Sequence, residues 1–235
     1  SIIWQCDLNG SNAEMMVPPR DAHYPIDLAV DDQSGKVYWV DRDNKEIKRS
    51  TLARALEFNG QDQSVTLPPE ALPTGNEMTV SFWAYGGSTQ PKYNSIIEAK
   101  DANGVRVLNI HLPWATEIVI FDSGAGNRIE KAANAADYKG RWAHWTFTKD
   151  ANAGEMKIYL DGKLWHSGTN LKSPLTEATS FKVGSYVDNT NFWAGKLRDL
   201  RIWSKCLTEE EINQGMDEPL DGDEDGLVSY WQFTE

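Results

Sequence analysis

From Ala55 to the C-terminus, apolar and polar residues alternate in short runs that glycine, asparagine and aspartate interrupt. The runs are ALEFNGQDQSVTLP, EMTVSFWAYGG, NSIIEAK, RVLNIHLPW, IVIFDSG, RWAHWTFTKD, GEMKIYLDGKLWHSG, SFKVGSY, FWAGKLRDLRIW and GLVSYWQF. Gly60, Gly86-Gly87, Asn103-Gly104, Gly124, Gly154, Asp161-Gly162 and Gly195 mark the turns. A side-chain period of two at this spacing predicts about ten strands and an all-β sandwich or jelly roll. One stretch departs from the pattern. In LTEEEINQG, Thr208 suits an N-cap, Glu211 stands three residues on as in a capping box, and Gly215 suits the C′ position, so a short helix is expected.

Residues 1 to 52 read differently. Short runs at Ile2-Ile3-Trp4, Glu14 to Val17, Ile26 to Val30, Lys36 to Val40 and Glu46 to Arg49 are separated by Asn9-Gly10-Ser11-Asn12, Pro18-Pro19 and Asp31-Asp32-Gln33-Ser34-Gly35. These are hairpin and turn signals, and the segment predicts an antiparallel meander of four or five strands. The change of pattern divides the chain into domains 1–52 and 53–235.

The first domain resembles the YWTD β-propeller repeat of the low-density lipoprotein receptor family. CDLNGSN, YPIDLAVDDQSGKVYWVD and EIKRSTL follow that family's order of LDGSN, P-x-GLAVD, YWTD and I-x-R-x-x-L, with Asn9, Asp27 and Val40 as departures. The match covers about one blade, whereas a closed propeller needs roughly four to eight. It implies that Val37, Trp39 and Ile47 bury against a neighbour, and that the segment packs on the second domain or on another copy of the chain.

The second domain resembles the laminin-G-like, concanavalin A-like jelly rolls. The resemblance rests on LEFNGQD (Leu56 to Asp62), TVSFWAY, RWAHWTFTKD with MKIYLDGKLWHSG, and an ending in which GKLRDLRIW and LTEEEI precede EDGLVSYWQF. It spans residues 55–235 and implies a concanavalin A-like jelly-roll β-sandwich.

Composition narrows the partners. The net charge of −12, with no cluster of lysine and arginine, argues against nucleic acid. No apolar run approaches the ~20 residues of a membrane-spanning helix, and the N-terminus lacks the regions of a signal peptide. Ten Trp, eight Tyr and seven Phe suit broad sheets and surfaces that stack on sugar rings. Cys6 and Cys206 are the only cysteines, too few for a closed zinc site or a disulfide scaffold. Either they bridge the two domains or each packs as a small apolar group.

Candidate chemistry is sparse. Glycoside hydrolysis on this fold wants carboxylates alternating along one strand, and KLRDLRIW carries Asp199 alone. No G-x-S-x-G elbow is present either. Asp221, Asp223 and Asp225, followed by Gly226, match positions 1, 3, 5 and 6 of an EF-hand loop, but position 12 is Gln232 and a strand follows. The plainer reading of that stretch is an acidic surface turn. Asn59 and Asp62 form a second candidate, and both loops would serve one calcium ion if the first and last jelly-roll strands pair. For a sugar, Tyr93, Trp114, Tyr186, Asp188, Asn189 and Trp193 are the aromatic and polar loop residues of choice. Trp83, Trp142, Trp145 and Trp203 lie within strands and are assigned to packing, and His111 to a structural hydrogen bond.

The expectation is a non-catalytic extracellular module that recognises carbohydrate or a glycoprotein surface, with calcium supporting its loops. The alternatives are an assembly domain of a larger protein, forming homo-oligomers through residues 1–52, and a glycoside hydrolase or lyase of the same fold.

Overall fold

A computed structural model of the chain describes residues 3–5, 14–17, 25–31, 36–51 and 55–233. The chain separates into two compact units, residues 1–54 and 55–233.

In the first unit, β1 (Ile3–Gln5) pairs antiparallel with β2 (Glu14–Val17). β3 (Pro25–Asp31), β4 (Lys36–Asp41) and β5 (Glu46–Thr51) form a three-stranded antiparallel sheet. The carboxylate of Asp41 is fully buried and closes the β4–β5 turn, accepting from the backbone N–H groups of Asp43 and Asn44 at 3.2 Å each. Val37 and Trp39 are buried as expected, but Ile47 is 74% exposed. Ile47 stands opposite Val40, and alternation turns it to the face away from Val37 and Trp39. The turns at 9–12 and 32–35, the Pro18-Pro19 pair and Cys6 lie outside the described residues.

In the second unit thirteen strands are described. They begin with β6 (Leu56–Asn59), β7 (Val65–Leu67), β8 (Glu77–Gly86), β9 (Ile97–Lys100), β10 (Arg106–His111), β11 (Ile118–Asp122) and β12 (Arg128–Ala132). They continue with β13 (Trp142–Asp150), β14 (Glu155–Leu160), β15 (Lys163–Gly168), β16 (Ser180–Val183), β17 (Ala194–Trp203) and β18 (Leu227–Trp231). One sheet runs β12-β11-β10-β9-β16-β7; the other runs β15-β14-β13-β8-β17-β18, with β6 also on β17. The inner faces meet in an aromatic core. Phe121 of the first sheet lies 5.4 Å from Phe147 of the second, which stacks on Phe82 at 5.8 Å, and all three are fully buried.

The strand alternation is reset once, in β17. Arg198 pairs with Trp83 and Arg201 with Ser81, so one extra residue is inserted, and Asp199 takes a left-handed φ of 58° there. Leu197 and Leu200 consequently both reach the core, while the Asp199 carboxylate grips the buried Arg201 guanidinium at 2.8 and 2.7 Å. The bulge also separates the partners of β17: β6 pairs with Ala194 to Leu197 and β18 with Leu200 to Trp203. The first and last strands therefore follow one another along β17 and do not pair.

The helix α2 (Glu209–Gly215) opens as expected, with Thr208 accepting from Glu211 N–H at 3.2 Å and Glu211 accepting from Thr208 N–H at 2.8 Å. It runs two residues further than expected, with Met216 as its C-cap, because Met216 N–H bonds to the Ile212 carbonyl and Gly215 keeps a right-handed backbone. Gly195 lies inside β17 and not in a turn; a side chain there would strike the Tyr85 carbonyl and the Trp193 ring. The short helix α1 (Ala135–Tyr138) and β12 were not expected. β12 is an edge strand that buries only Ile129 of its five residues, so no alternation betrays it.

Asp199→Ala leaves Arg201 buried without its carboxylate and is expected to cost about 3–5 kcal/mol, read from urea midpoints. Asp199→Asn, which tolerates the left-handed backbone, is expected to cost less. A loss below about 0.5 kcal/mol in both variants, as for an ordinary surface change, would contradict the ion-pair account.

Candidate functional site

Five strands carry a row of polar residues across the outer face of the six-stranded sheet. Lys182 stands opposite Glu98, Glu98 opposite Asn109, Asn109 opposite Asp122, and Asp122 opposite Arg128. Their neighbours Ile97, Ala99, Ile110, Phe121 and Phe181 fill the core. Glu98 is the fixed point of the row. Its side chain is fully buried, one oxygen accepts Nε and a terminal N–H of Arg106 at 3.0 and 2.9 Å, and the other accepts Val187 N–H at 2.8 Å. Lys100 Nζ lies 3.5 Å away. Burying a carboxylate is tolerated when charge and hydrogen bonds are supplied together, and here they also tie the loop after β16 across the sheet.

At the end of this face His111, the last residue of β10, collects an aromatic cluster. Trp114 lies 4.4 Å from the imidazole and Tyr186 5.9 Å, both edge-on, and Tyr93 meets Trp114 at 4.9 Å. The Arg106 guanidinium sits 5.2 Å over the Tyr186 ring, so the ion pair and the aromatics form one assembly. His111 Nδ1–H donates to the Asn94 carbonyl, leaving Nε2 as the acceptor. Burial pushes the imidazole down to about 4, with Arg106 and Arg128 adding repulsion against the Asn94 hydrogen bond.

Three loops bring these residues together. Asn94 is buried and its amide donates to Gln90 Oε1, the Lys92 carbonyl and the Pro113 carbonyl, which binds the loop carrying Tyr93 to the loop carrying Trp114. The third loop turns at Tyr186 to Thr190, where Asp188 Oδ1 accepts Thr190 N–H and Oγ1–H at 3.1 and 2.6 Å. Asn189 takes a left-handed φ of 62° at the tip, and its side-chain oxygen accepts from Lys182. Tyr93 is 62% exposed, Trp114 and Tyr186 are half-buried, and Asp188 and Asn189 are exposed.

Trp193 does not join them. Its indole is fully buried, donates Nε1–H to the Leu112 carbonyl at 3.0 Å and meets Phe58 edge-on at 5.9 Å, so it is a core residue. The backbone of 184–193 turns inward after Asn191, which loop-forming neighbours in sequence do not reveal. Glu98, Arg106 and Asn109 were missed for the opposite reason. They sit in strands whose polar outward positions look like ordinary solvated alternation.

The metal candidates are dispersed. Asn59 pairs with Ala194 and Leu227 with Trp203, at opposite ends of β17, roughly 25–30 Å apart along an extended strand. Asn59 and Asp62 therefore cannot share an ion with Asp221, Asp223 and Asp225. Asn59 spends its oxygen on the N–H groups of Gln61 and Asp62 and its amide on Asp62 Oδ1. In the other loop Glu224 turns to the backbone, accepting Asp221 N–H at 2.7 Å and Gly222 N–H at 3.0 Å. Among the described residues no group of three or more histidine, cysteine, aspartate or glutamate side chains is placed to hold a metal. Cys206 is a half-buried free thiol.

A two-sheet antiparallel sandwich of jelly-roll type, with an aromatic cluster where loops meet the outer face of one sheet, defines the class of this protein. The family is shown directly: a laminin-G-type model described as the concanavalin A-like lectin/glucanases superfamily matches residues 59–213, and the chain belongs to it. Among solved structures, domain 4 of AbnA, an extracellular arabinanase of Geobacillus stearothermophilus solved with arabinotriose, is 22% identical with a TM-score of 0.55, over 68% of this chain and 75% of that one. A putative carbohydrate binding protein from Bacteroides ovatus is 18% identical with a TM-score of 0.56, over 84% and 58%. At these identities the likeness is one of fold. Among curated proteins, adhesion G-protein coupled receptor V1 of Danio rerio is 22% identical over 80% of this chain, which spans 3% of the receptor's length. Among the described residues no helix is long and apolar enough to cross a membrane.

An unfolded histidine titrates near 6.5 and the buried His111 near 4, so between those values the unfolded chain takes up the proton first. Stability is therefore expected to fall as pH drops through that window, and His111→Gln, which keeps a donor for Asn94, is expected to flatten part of the slope in urea titrations at stepped pH. An unchanged slope would contradict a buried neutral His111.

Proposed function

We propose that this chain is a non-catalytic, extracellular recognition module whose carbohydrate platform is the Tyr93, Trp114 and Tyr186 cluster. One observation carries the reading: an exposed tyrosine and a half-buried tryptophan are held edge-on at 4.9 Å by a buried hydrogen-bond frame, beside the polar turn of Asp188 and Asn189. Sugars are bound by flat apolar surfaces flanked by directional donors and acceptors, and preorganised rings lose little freedom on binding. The lectin/glucanase family and the arabinotriose-bound relative support a saccharide ligand; the adhesion receptor supports an extracellular setting. A non-catalytic role is supported by Glu98, the buried carboxylate beside the cluster, whose two oxygens are engaged in structural bonds to Arg106 and Val187 N–H. Calcium enters as an arm of the test.

On a glycan array that includes arabino-oligosaccharides, wild-type protein is expected to bind a defined subset, with calcium support visible as weaker signals in chelator. Tyr93→Ala and Trp114→Ala are expected to weaken binding about tenfold, or about 1.4 kcal/mol. The Tyr93 change should leave stability within about 0.5 kcal/mol, because the ring is exposed. Silence across the array with and without calcium would refute the reading.

A second reading, assembly through residues 1–52, has its own support. The YWTD-like sheet leaves Ile26, Leu28 and Val30 of β3 exposed at 57%, 46% and 50%, a row that a neighbouring blade or a second copy would cover. Light scattering after size exclusion is expected to show an oligomer that Leu28→Lys dissociates; a monomer at all concentrations tested would leave no role for homo-oligomers.

A further inference from the structure

The outer face of the seven-stranded sheet is covered by α2 and the segment after it. Trp83 Nε1–H donates to the Met216 carbonyl at 3.1 Å, and Arg201 donates to the carbonyls of Gly215 and Glu218 at 2.7 and 2.6 Å. Thr79 Oγ1–H donates to the Lys205 carbonyl at 2.8 Å. These bonds hold the cover at its edges and leave a cavity of about 310 Å³ beneath it. That volume is at the lower end of the small-molecule range.

We propose that this cavity is a second binding site, distinct from the sugar platform, for a small organic cation with an aromatic or branched aliphatic body. Trp203, Leu207, Ile212, Met216 and Leu220 supply apolar walls, and Ser81, His144 and Thr146 supply a polar floor from β8 and β13. The floor carries no net charge. Burial pushes His144 down to about 3, so it is neutral at physiological pH. The Arg201 guanidinium is matched by the bidentate Asp199 carboxylate.

The rim is acidic. Lys205 Nζ lies 3.4 Å from Glu211 and Arg201 is held by Asp199, so although Arg201 also acts on Glu224, the carboxylates of Glu224 and Asp225 leave the site with an excess of negative charge. Glu224 is fixed in place by the Asp221 and Gly222 N–H groups. From Leu207 to Phe233 the chain has nine acidic residues and no lysine or arginine, so the segment that covers the cavity is negatively charged. Apolar walls with an acidic mouth favour an amine over a carboxylate of the same shape, and a neutral hydrocarbon gains nothing from the rim.

Three probes of one shape test this by calorimetric titration of the full chain: tryptamine, 3-methylindole and indole-3-acetate. Tryptamine is expected to bind roughly tenfold more tightly than 3-methylindole and indole-3-acetate to bind weakest. Asp225→Asn is expected to weaken tryptamine roughly threefold and leave 3-methylindole unchanged. Ser81→Val, which fills the floor with a residue suited to a strand, is expected to weaken all three probes while the sugar affinity persists. Absence of tryptamine binding, equal affinity for the cation and the anion, or insensitivity to both variants would overturn the proposal. Loss of sugar binding with the amine site intact would instead refute the carbohydrate reading alone.

Discussion

The period of two along each strand is the constraint from which the rest of the structure follows. A sandwich commits every second side chain to the space between its sheets, so functional groups are drawn only from outward positions and from loops. Phe82, Phe121, Trp145 and Phe147 fill that inner space and are fully buried. The bulge at Asp199 shows how firmly the rule holds. Inserting one residue into β17 brings Leu200 back into the core, and the same shift sets Arg198 and Arg201 on the outer face. There Arg201 fastens the cover over the seven-stranded sheet, and Arg198 lies 4.5 Å from the Trp142 ring.

The two outer faces are used differently because they are covered differently. On the six-stranded sheet, loops cross only part of the surface, and the Glu98–Arg106 pair anchors one of them where the aromatic cluster begins. Glu98 binds Val187, Arg106 lies against Tyr186, Tyr186 meets His111, and His111 meets Trp114, so positioning passes from an ion pair to the half-buried Trp114 through direct contacts. On the seven-stranded sheet a helix covers the strands, and polar side chains such as Thr79 and Thr146 are buried beneath it. Buried hydroxyls of this kind persist when they find backbone partners, as Thr79 does with Lys205 and Leu207.

Much of the architecture was legible in the sequence because it rests on local signals. Alternating runs marked most strands, and Thr208 with Glu211 marked the helix start, since a capping box is satisfied within one turn. The errors arose where long-range geometry decides. Trp193 looked like a loop aromatic, but the chain turns inward after Asn191 and buries the ring against Phe58. Asn59 and the aspartates of 221–225 looked like partners, and the bulged β17 holds them at opposite ends. Glu98 and Arg106 drew no attention, because nothing local distinguishes a buried ion pair from two solvated charges on a strand. Tyr93, Trp114 and Tyr186 stand out in sequence by their loop neighbours, and the structure brings them together around His111, which the sequence marks only as a structural hydrogen bond.

If a saccharide lies on the Tyr93, Trp114 and Tyr186 cluster as proposed, a crystal structure with the glycan that binds best on an array will show a sugar ring against Tyr93 or Trp114, with hydroxyls directed to the turn of Asp188 and Asn189. A sugar seated anywhere else on the sandwich, with the cluster bare, would contradict it.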